Sequence, residues 1–263
     1  MNWKDRVVLI SGASRGIGAE VARQAVAKGS RVGLLARTTA DLDDLAAELG
    51  GRCAVATADV TSKAEVAAAV ASLTGALGAV DILVNNAGIG LYGPFLDAEV
   101  DELERVMRTN YLGVANLLKA VLPSMVERRS GHLVTMGSIS GRIGSPFEAG
   151  YSASKFAITG LTEALSVEVA PFGIRHTLIN PGPVDTPFGE ARGHPYDRAR
   201  PKPVAASTVA RITIRSVERN RSEVYIPSML GPAVITKVLA PPFFRWGTAR
   251  AFPKELAAER ALR

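Results

Sequence analysis

The chain has 263 residues, 47% of them hydrophobic and 21% charged, a composition that excludes disorder and allows a sizeable core. Its net charge of +6 is scattered rather than gathered into a stripe with interleaved aromatics, which argues against nucleic acid as a partner. The single cysteine, Cys53, rules out an internal disulfide. No run of about 18 apolar residues is present to span a membrane, and the opening MNWKDRVVLISG has no signal-peptide pattern, so a cytoplasmic protein is expected.

Short apolar runs alternate with helical patterns along the chain. Val7–Ile10 predicts a strand, Ala19–Ala27 a helix, Arg31–Leu35 a strand and Asp41–Leu49 a helix. Cys53–Thr57, a helix over Ala64–Leu77 and Val80–Val84 follow; a long helical region, Glu99–Arg128, precedes Gly131–Met136. The helix Tyr151–Val169 leads to Ile174–Ile179, and Thr208–Glu218 leads to Glu223–Ile226. Seven strands separated by helical lengths predict right-handed crossovers and a parallel sheet covered on both faces, a Rossmann-like doubly wound α/β fold. Ser62 and Glu65 have capping-box spacing, with Glu65 expected to reach back to the cap; Gly29 and Gly131 fall just past predicted helix ends, where a left-handed residue is favoured. Cys53, in a predicted strand, reads as a small buried hydrophobe rather than a reactive thiol.

With no internal repeat or linker, residues 1–230 read as one domain carrying a Pro-, Gly- and charge-rich functional loop at about 186–206. Residues 231–263 read as an extension. There, six basic residues (Lys237, Arg245, Arg250, Lys254, Arg260, Arg263) face only Glu255 and Glu259, among Val238, Leu239, Phe243, Phe244, Trp246 and Phe252. The extension could lie on an anionic membrane as a peripheral contact, or pack over a substrate entrance or a neighbouring subunit. Pro241-Pro242 interrupts any single long amphipathic helix and favours packing.

Ser11-Gly12-Ala-Ser14-Arg15-Gly16-Ile17-Gly18 follows the first strand and opens the first helix. Glycines at such a turn let backbone N–H groups approach a pyrophosphate, with the helix N-terminus adding partial positive charge. The spacing, G-x-x-x-G-x-G, is not the common dinucleotide fingerprint. The same residues also match G-x-S-x-G, a hydrolase nucleophile elbow at Ser14. Against a hydrolase, the required late histidine is poorly supplied: His132 and His176 fall in or beside predicted strands, and His194 is the last. At the end of the second strand, Leu35-Ala36-Arg37-Thr38 has no acid until Asp41. A carboxylate there would bind the ribose hydroxyl of NAD; Arg37, with Arg15 opposite, suits the 2′-phosphate of NADP instead.

Tyr151 and Lys155 sit one turn apart on a predicted helix face, where an ammonium would favour phenolate and make the phenol a proton exchanger near neutral pH. No Cys/His cluster has metal-ligand spacing, and no metal is expected. With Asp59-Val60 after the third strand, Asn85-Asn86-Ala87-Gly88 after the fourth, Asn110 in the long helix, Ser138 thirteen residues before Tyr151 and Pro181-Gly182-Pro183-Val184-Asp185-Thr186 after the sixth, the pattern resembles the short-chain dehydrogenase/reductase family, of the NADP-preferring type.

The resemblance implies strand order 3-2-1-4-5-6-7 and a set of roles. Tyr151 would be general acid in reduction and base in oxidation. Lys155 would hold the nicotinamide ribose and depress the tyrosine pKa, Ser138 would bond the substrate oxygen, and Asn110 would anchor a water linking Lys155 to solvent. Asp59 would contact the adenine beside Val60; Asn86, Ala87 and Gly88 would line the ribose and nicotinamide side; Val184 and Thr186, in the Pro181-Gly182 segment, would meet the carboxamide. NADPH/NADP+ is the implied cofactor and a small carbonyl or alcohol the substrate, in a homo-oligomer, dimer or tetramer.

The substrate pocket is expected to draw on Gly90–Phe95, Ser140–Phe147 and the loop from Phe188 to about Pro203. Leu91, Tyr92, Ile143, Phe147 and Phe188 make it apolar, suited to a hydrophobic ketone, aldehyde or 3-oxoacyl group. Arg192, Arg198, Arg200 and Lys202 read as a solvated loop rather than an anion site. Three classes stay open on sequence: an oxidoreductase, a hydrolase using Ser14, and an NADP-binding sensor without turnover, the last disfavoured because Asn110, Ser138, Tyr151 and Lys155 are all present.

Overall fold

A computed structural model describes residues 1–194, 196, 201–253, 256 and 257. The chain runs β1 (Val7–Ser11), α1 (Gly16–Ala27), β2 (Arg31–Ala36), α2 (Thr39–Leu49), β3 (Cys53–Thr57), α3 (Lys63–Leu77) and β4 (Ile82–Asn85). It continues through α4 (Val100–Met107), α5 (Gly113–Glu127), β5 (Gly131–Met136), α6 (Ala149–Val169), β6 (Ile174–Pro181), β7 (Val184–Asp185) and α7 (Phe188–Ala191). Last come β8 (Val204–Ala205), α8 (Ala206–Glu218), β9 (Glu223–Ile226), α9 (Gly231–Leu239) and α10 (Pro241–Arg250).

Seven strands form one parallel sheet in the order β3-β2-β1-β4-β5-β6-β9. The seventh is ninth along the chain because two-residue strands β7 and β8 pair separately within the loop that follows β6. Alternation divides the core between the faces: Val8, Ile10 and Val134 join Leu42, Val209 and Ile214 on one side, while Val7, Leu9 and Leu133 join Val66, Leu117 and Ile158 on the other. Both faces being covered, the strands need no polar side, and burial runs unbroken through β1, β4 and β5. The order reverses between β1 and β4, opening a crevice at the strands' carboxyl ends.

Local chemistry departs from expectation at three places. Ser62 caps α3 by accepting from the Glu65 N–H (3.3 Å), but the Glu65 carboxylate passes the cap and accepts from the Asp59 N–H (2.9 Å). After α5 the left-handed residue is Arg129 (φ 49°), not Gly131; Gly131 is needed because a Cβ there would run into Met125. The long helix is not continuous: Arg108–Leu112 widens into a π turn that sets Asn110 inward. Cys53 is half-buried, its thiol facing the carbonyls of Ala46 and Gly50, and burial pushes its pKa up.

Candidate active site

The glycine turn is pinned from behind. Ser11 Oγ donates to the Val84 carbonyl (3.4 Å) and accepts from the N–H groups of Asn86 (3.0 Å) and Ala87 (3.2 Å). The Asn86 amide donates to the carbonyls of Ser11 (3.2 Å) and Gly12 (3.0 Å). Gly12 and Gly16 adopt left-handed φ of 63° and 58°. The α1 N-terminus then faces the crevice with Arg15 as N-cap and no side chain satisfying its first-turn N–H groups, which leaves those donors to an anion.

A cavity of ≈ 630 Å³ runs from Arg37, Thr38 and Asp41 past this turn to Tyr151, Phe188 and Phe252. Every residue singled out from the sequence as catalytic or cofactor-binding lines it except Gly18 and Asn110. Gly18 is packed against the turn, where a Cβ would overlap the Gly12 carbonyl oxygen. Asn110 is fully buried: Oδ1 accepts from the Ile89 N–H (2.8 Å), and Nδ2 donates to the Ile89 carbonyl and to Ser154 Oγ (2.9 Å each). Ser154 in turn donates to the Tyr151 carbonyl (2.7 Å), so Asn110 ties the segment after β4 to the α6 turn bearing the tyrosine. At the far end, Asp59 Oδ1 accepts from the Thr61 N–H (2.8 Å), fixing its carboxylate at the cavity wall. The unshared amide lining and the glycine geometry fit an extended anionic dinucleotide.

At the near end Tyr151 hydrogen-bonds Ser138, whose Oγ also accepts from the Ser140 N–H (3.1 Å). Lys155 is buried with Nζ 5.7 Å from the Tyr151 ring centre, and it donates to the Met136 carbonyl (2.9 Å). Burial dominates both titrations. It pushes the Tyr151 phenol up, with the Ser138 bond opposing, and pushes Lys155 down to about 8. The largest influence on the phenol is burial, and the Lys155 ammonium is held by the Met136 carbonyl.

The substrate end is more polar than its sequence suggests. Tyr92 and Phe188 line the cavity, but Leu91 and Phe147 border a separate space of ≈ 260 Å³, and Ile143 borders neither. Arg192, read as a solvated loop residue, is instead 11% exposed and ion-paired with Glu148, itself 13% exposed. Its Nε donates to the His194 carbonyl (3.0 Å), its guanidinium lies 5.3 Å from the Tyr92 ring centre, and His194 stacks on Tyr92 at 3.9 Å. Arg198 and Arg200 lie outside the described residues, as do Lys254, Glu255, Glu259, Arg260 and Arg263; Lys202 is exposed. Leu230 and buried Phe252 complete the wall.

The other sequence alternatives find little support here. His132 and His176 sit inside the sheet, their Nε2 atoms 2.8 Å from Thr177 and Thr135 hydroxyls, and burial lowers them to about 3 and about 4. Among the described residues no histidine is hydrogen-bonded to Ser14, and no His/Cys/Asp/Glu group could hold a metal.

A family model described as short chain dehydrogenase matches residues 6–197. The chain belongs to the short-chain dehydrogenase/reductase family and is an oxidoreductase. It is 36% identical over 267 residues to the mouse protein named Dehydrogenase/reductase SDR family member 7B, covering 94% of this chain and 82% of that one. Its fold matches a short chain dehydrogenase from Burkholderia cenocepacia in complex with NADP, with TM-score 0.81, 26% identity, and 94% and 99% of the two chains covered. It also matches a 3-ketoacyl-(acyl-carrier-protein) reductase from Brucella melitensis complexed with NADH, with TM-score 0.78, 26% identity, and 85% and 98% covered. A nicotinamide is thus the cofactor class of this fold and cavity.

Proposed function

We propose that this protein is an NADPH-dependent oxidoreductase acting between a carbonyl and a secondary alcohol, with Tyr151 as proton donor in reduction. The observation that carries the reading is the Ser138–Tyr151 hydroxyl pair, set above buried Lys155 at one end of the cavity that the glycine turn opens at the other. The turn from Gly12 to Ile17 would hold the pyrophosphate, Asp59 and Val60 the adenine, and Lys155 with Gly88, Val184 and Thr186 the nicotinamide riboside. When bound, that group supplies the hydride. Ser138 and Tyr151 donate hydrogen bonds to the substrate oxygen and stabilise it as negative charge develops. The Tyr151 proton then passes to that oxygen; in oxidation the phenolate takes it back.

Preference for NADPH rests on charge. Arg15 and Arg37 line the adenosine end beside the carboxylates of Asp41 and Asp59, the latter turned to the Thr61 N–H, and the two guanidiniums suit a doubly charged 2′-phosphate. Arg37→Asp should lower the NADPH-over-NADH ratio of kcat/KM roughly 10- to 100-fold, the value of one lost charge-assisted bond. An unchanged ratio removes Arg37 from the phosphate site.

Tyr92, Phe188, Leu230 and Phe252 suit a hydrophobic ketone, aldehyde or 3-oxoacyl group; loss of NADPH absorbance across such a panel identifies which. Glu148 also acts on the phenol, its charge raising the Tyr151 pKa while Arg192 opposes it. Glu148→Gln removes the first effect and frees the second. The rising limb of the pH–rate profile for alcohol oxidation should therefore move to lower pH, and a limb that stays in place would show the pair too well screened to matter.

A further inference from the structure

Helices α9 and α10 are amphipathic in the wrong sense for a soluble surface. Ile235, Val238 and Leu239 recur at helical spacing on α9 and are 59%, 71% and 77% exposed; Phe243 and Trp246 on α10 are 63% and 51% exposed. On the inward side Phe244 is half-buried, and Lys237 donates to the Arg142 carbonyl (2.7 Å) and lies 4.6 Å from the Phe156 ring centre. Phe243 and Trp246 stack at 5.7 Å, and the Arg250 guanidinium lies 4.1 Å from the Trp246 ring centre. From Gly231 to Pro253 there are three cations, Lys237, Arg245 and Arg250, and no carboxylate. The outward side thus carries five large apolar residues beside two exposed arginines, Arg245 and Arg250, with no carboxylate in the segment. Among the described residues no helix is long and apolar enough to cross a membrane.

We infer that this helical pair binds the surface of an anionic lipid bilayer, seating Ile235, Val238, Leu239, Phe243 and Trp246 among the acyl chains while Arg245 and Arg250 meet headgroup phosphates. Charge selects this occupant over a second copy of the chain, since pairing two such faces would bring like charges together without a carboxylate to answer them. The pair also continues the cavity wall: the chain leaves the cavity at Leu230, forms both helices, and returns to it at Phe252, which stacks near Phe147 at 6.1 Å. A bilayer-bound α9–α10 therefore sits beside the substrate entrance.

Trp246 reports on this directly, because the other tryptophan, Trp3, is fully buried. Full-length protein should show a blue-shifted tryptophan emission and sediment with vesicles of equal phosphatidylglycerol and phosphatidylcholine, and do so much less with phosphatidylcholine alone. Leu239→Glu combined with Phe243→Glu, both at exposed positions, should abolish the shift and cut the sedimented fraction at least roughly tenfold, with the thermal melt unchanged. Absence of both signals at low ionic strength overturns the inference. So does a vesicle-independent shift that grows with protein concentration alongside a dimer mass in sedimentation velocity, which would make the ridge a contact between copies.

Discussion

Replacing Tyr151 by phenylalanine should lower kcat roughly 100- to 10,000-fold while leaving dinucleotide affinity nearly unchanged, the range expected when a positioned proton donor is removed. The substitution deletes one oxygen and keeps a ring that is 9% exposed and lies 5.8 Å from Phe188, so α6 and the cavity wall have no reason to move. Measuring turnover of one ketone beside nucleotide binding by fluorescence separates chemistry from assembly. Because burial raises the phenol pKa, the donor stays protonated well above neutral pH; reduction should hold across that range while oxidation gains as pH rises. Ser14→Ala is the contrast. Ser14 lines the phosphate end without a histidine partner, so the variant should still reduce carbonyls. A dead Ser14→Ala with an active Tyr151→Phe would reverse the assignment and revive the hydrolase reading.

What the sequence made legible follows from how far each interaction reaches along the chain. The bounds of β3, β5 and β9 are those read from sequence, because apolar, β-rich runs there end at turn-forming or polar residues. The helix α1 begins at Gly16, three residues before the apolar pattern predicts: Gly16 and Gly18 have poor helix propensity, and the packing of the turn against Ala87 and Asn86 is what starts the helix there. The π turn at Asn110 leaves no trace in apolar periodicity, since the helices on either side continue the same buried stripe. Glu148 and Arg192 are 44 residues apart, so their pairing has no spacing signal, and composition alone made Arg192 look solvated. The Tyr151–Lys155 spacing reads as one helical turn and α6 provides it, but the bond from Lys155 to the Met136 carbonyl, 19 residues away, and the burial of both groups have no signal in that spacing.

Gly18→Ala tests whether the turn is a phosphate cradle or only a tight bend. An added Cβ would overlap the Gly12 carbonyl oxygen and lie 2.7 Å from Asn86 Nδ2, so something must shift. The turn has nowhere to go. Behind Gly12, Ala87 Cα and Asn86 Nδ2 stand 2.9 and 3.0 Å from where its own Cβ would be, and the Ala13 N–H is committed to the Leu35 carbonyl at 3.2 Å. The α1 N-terminus must therefore move outward, carrying its unshared N–H groups away from the position a pyrophosphate takes. Overpacking of this kind costs about 1–3 kcal/mol; where that cost falls on the bound turn, the loss of affinity is roughly 5- to 150-fold. Titration calorimetry with NADP+ reads that loss. Gly160→Ala is the matched control: its Cβ meets nothing within 4 Å on α6, so it should keep wild-type affinity and gain up to about 1 kcal/mol of stability from helix propensity. If Gly18→Ala bound the dinucleotide as tightly as Gly160→Ala does, the first turn of α1 would not be where the phosphates sit.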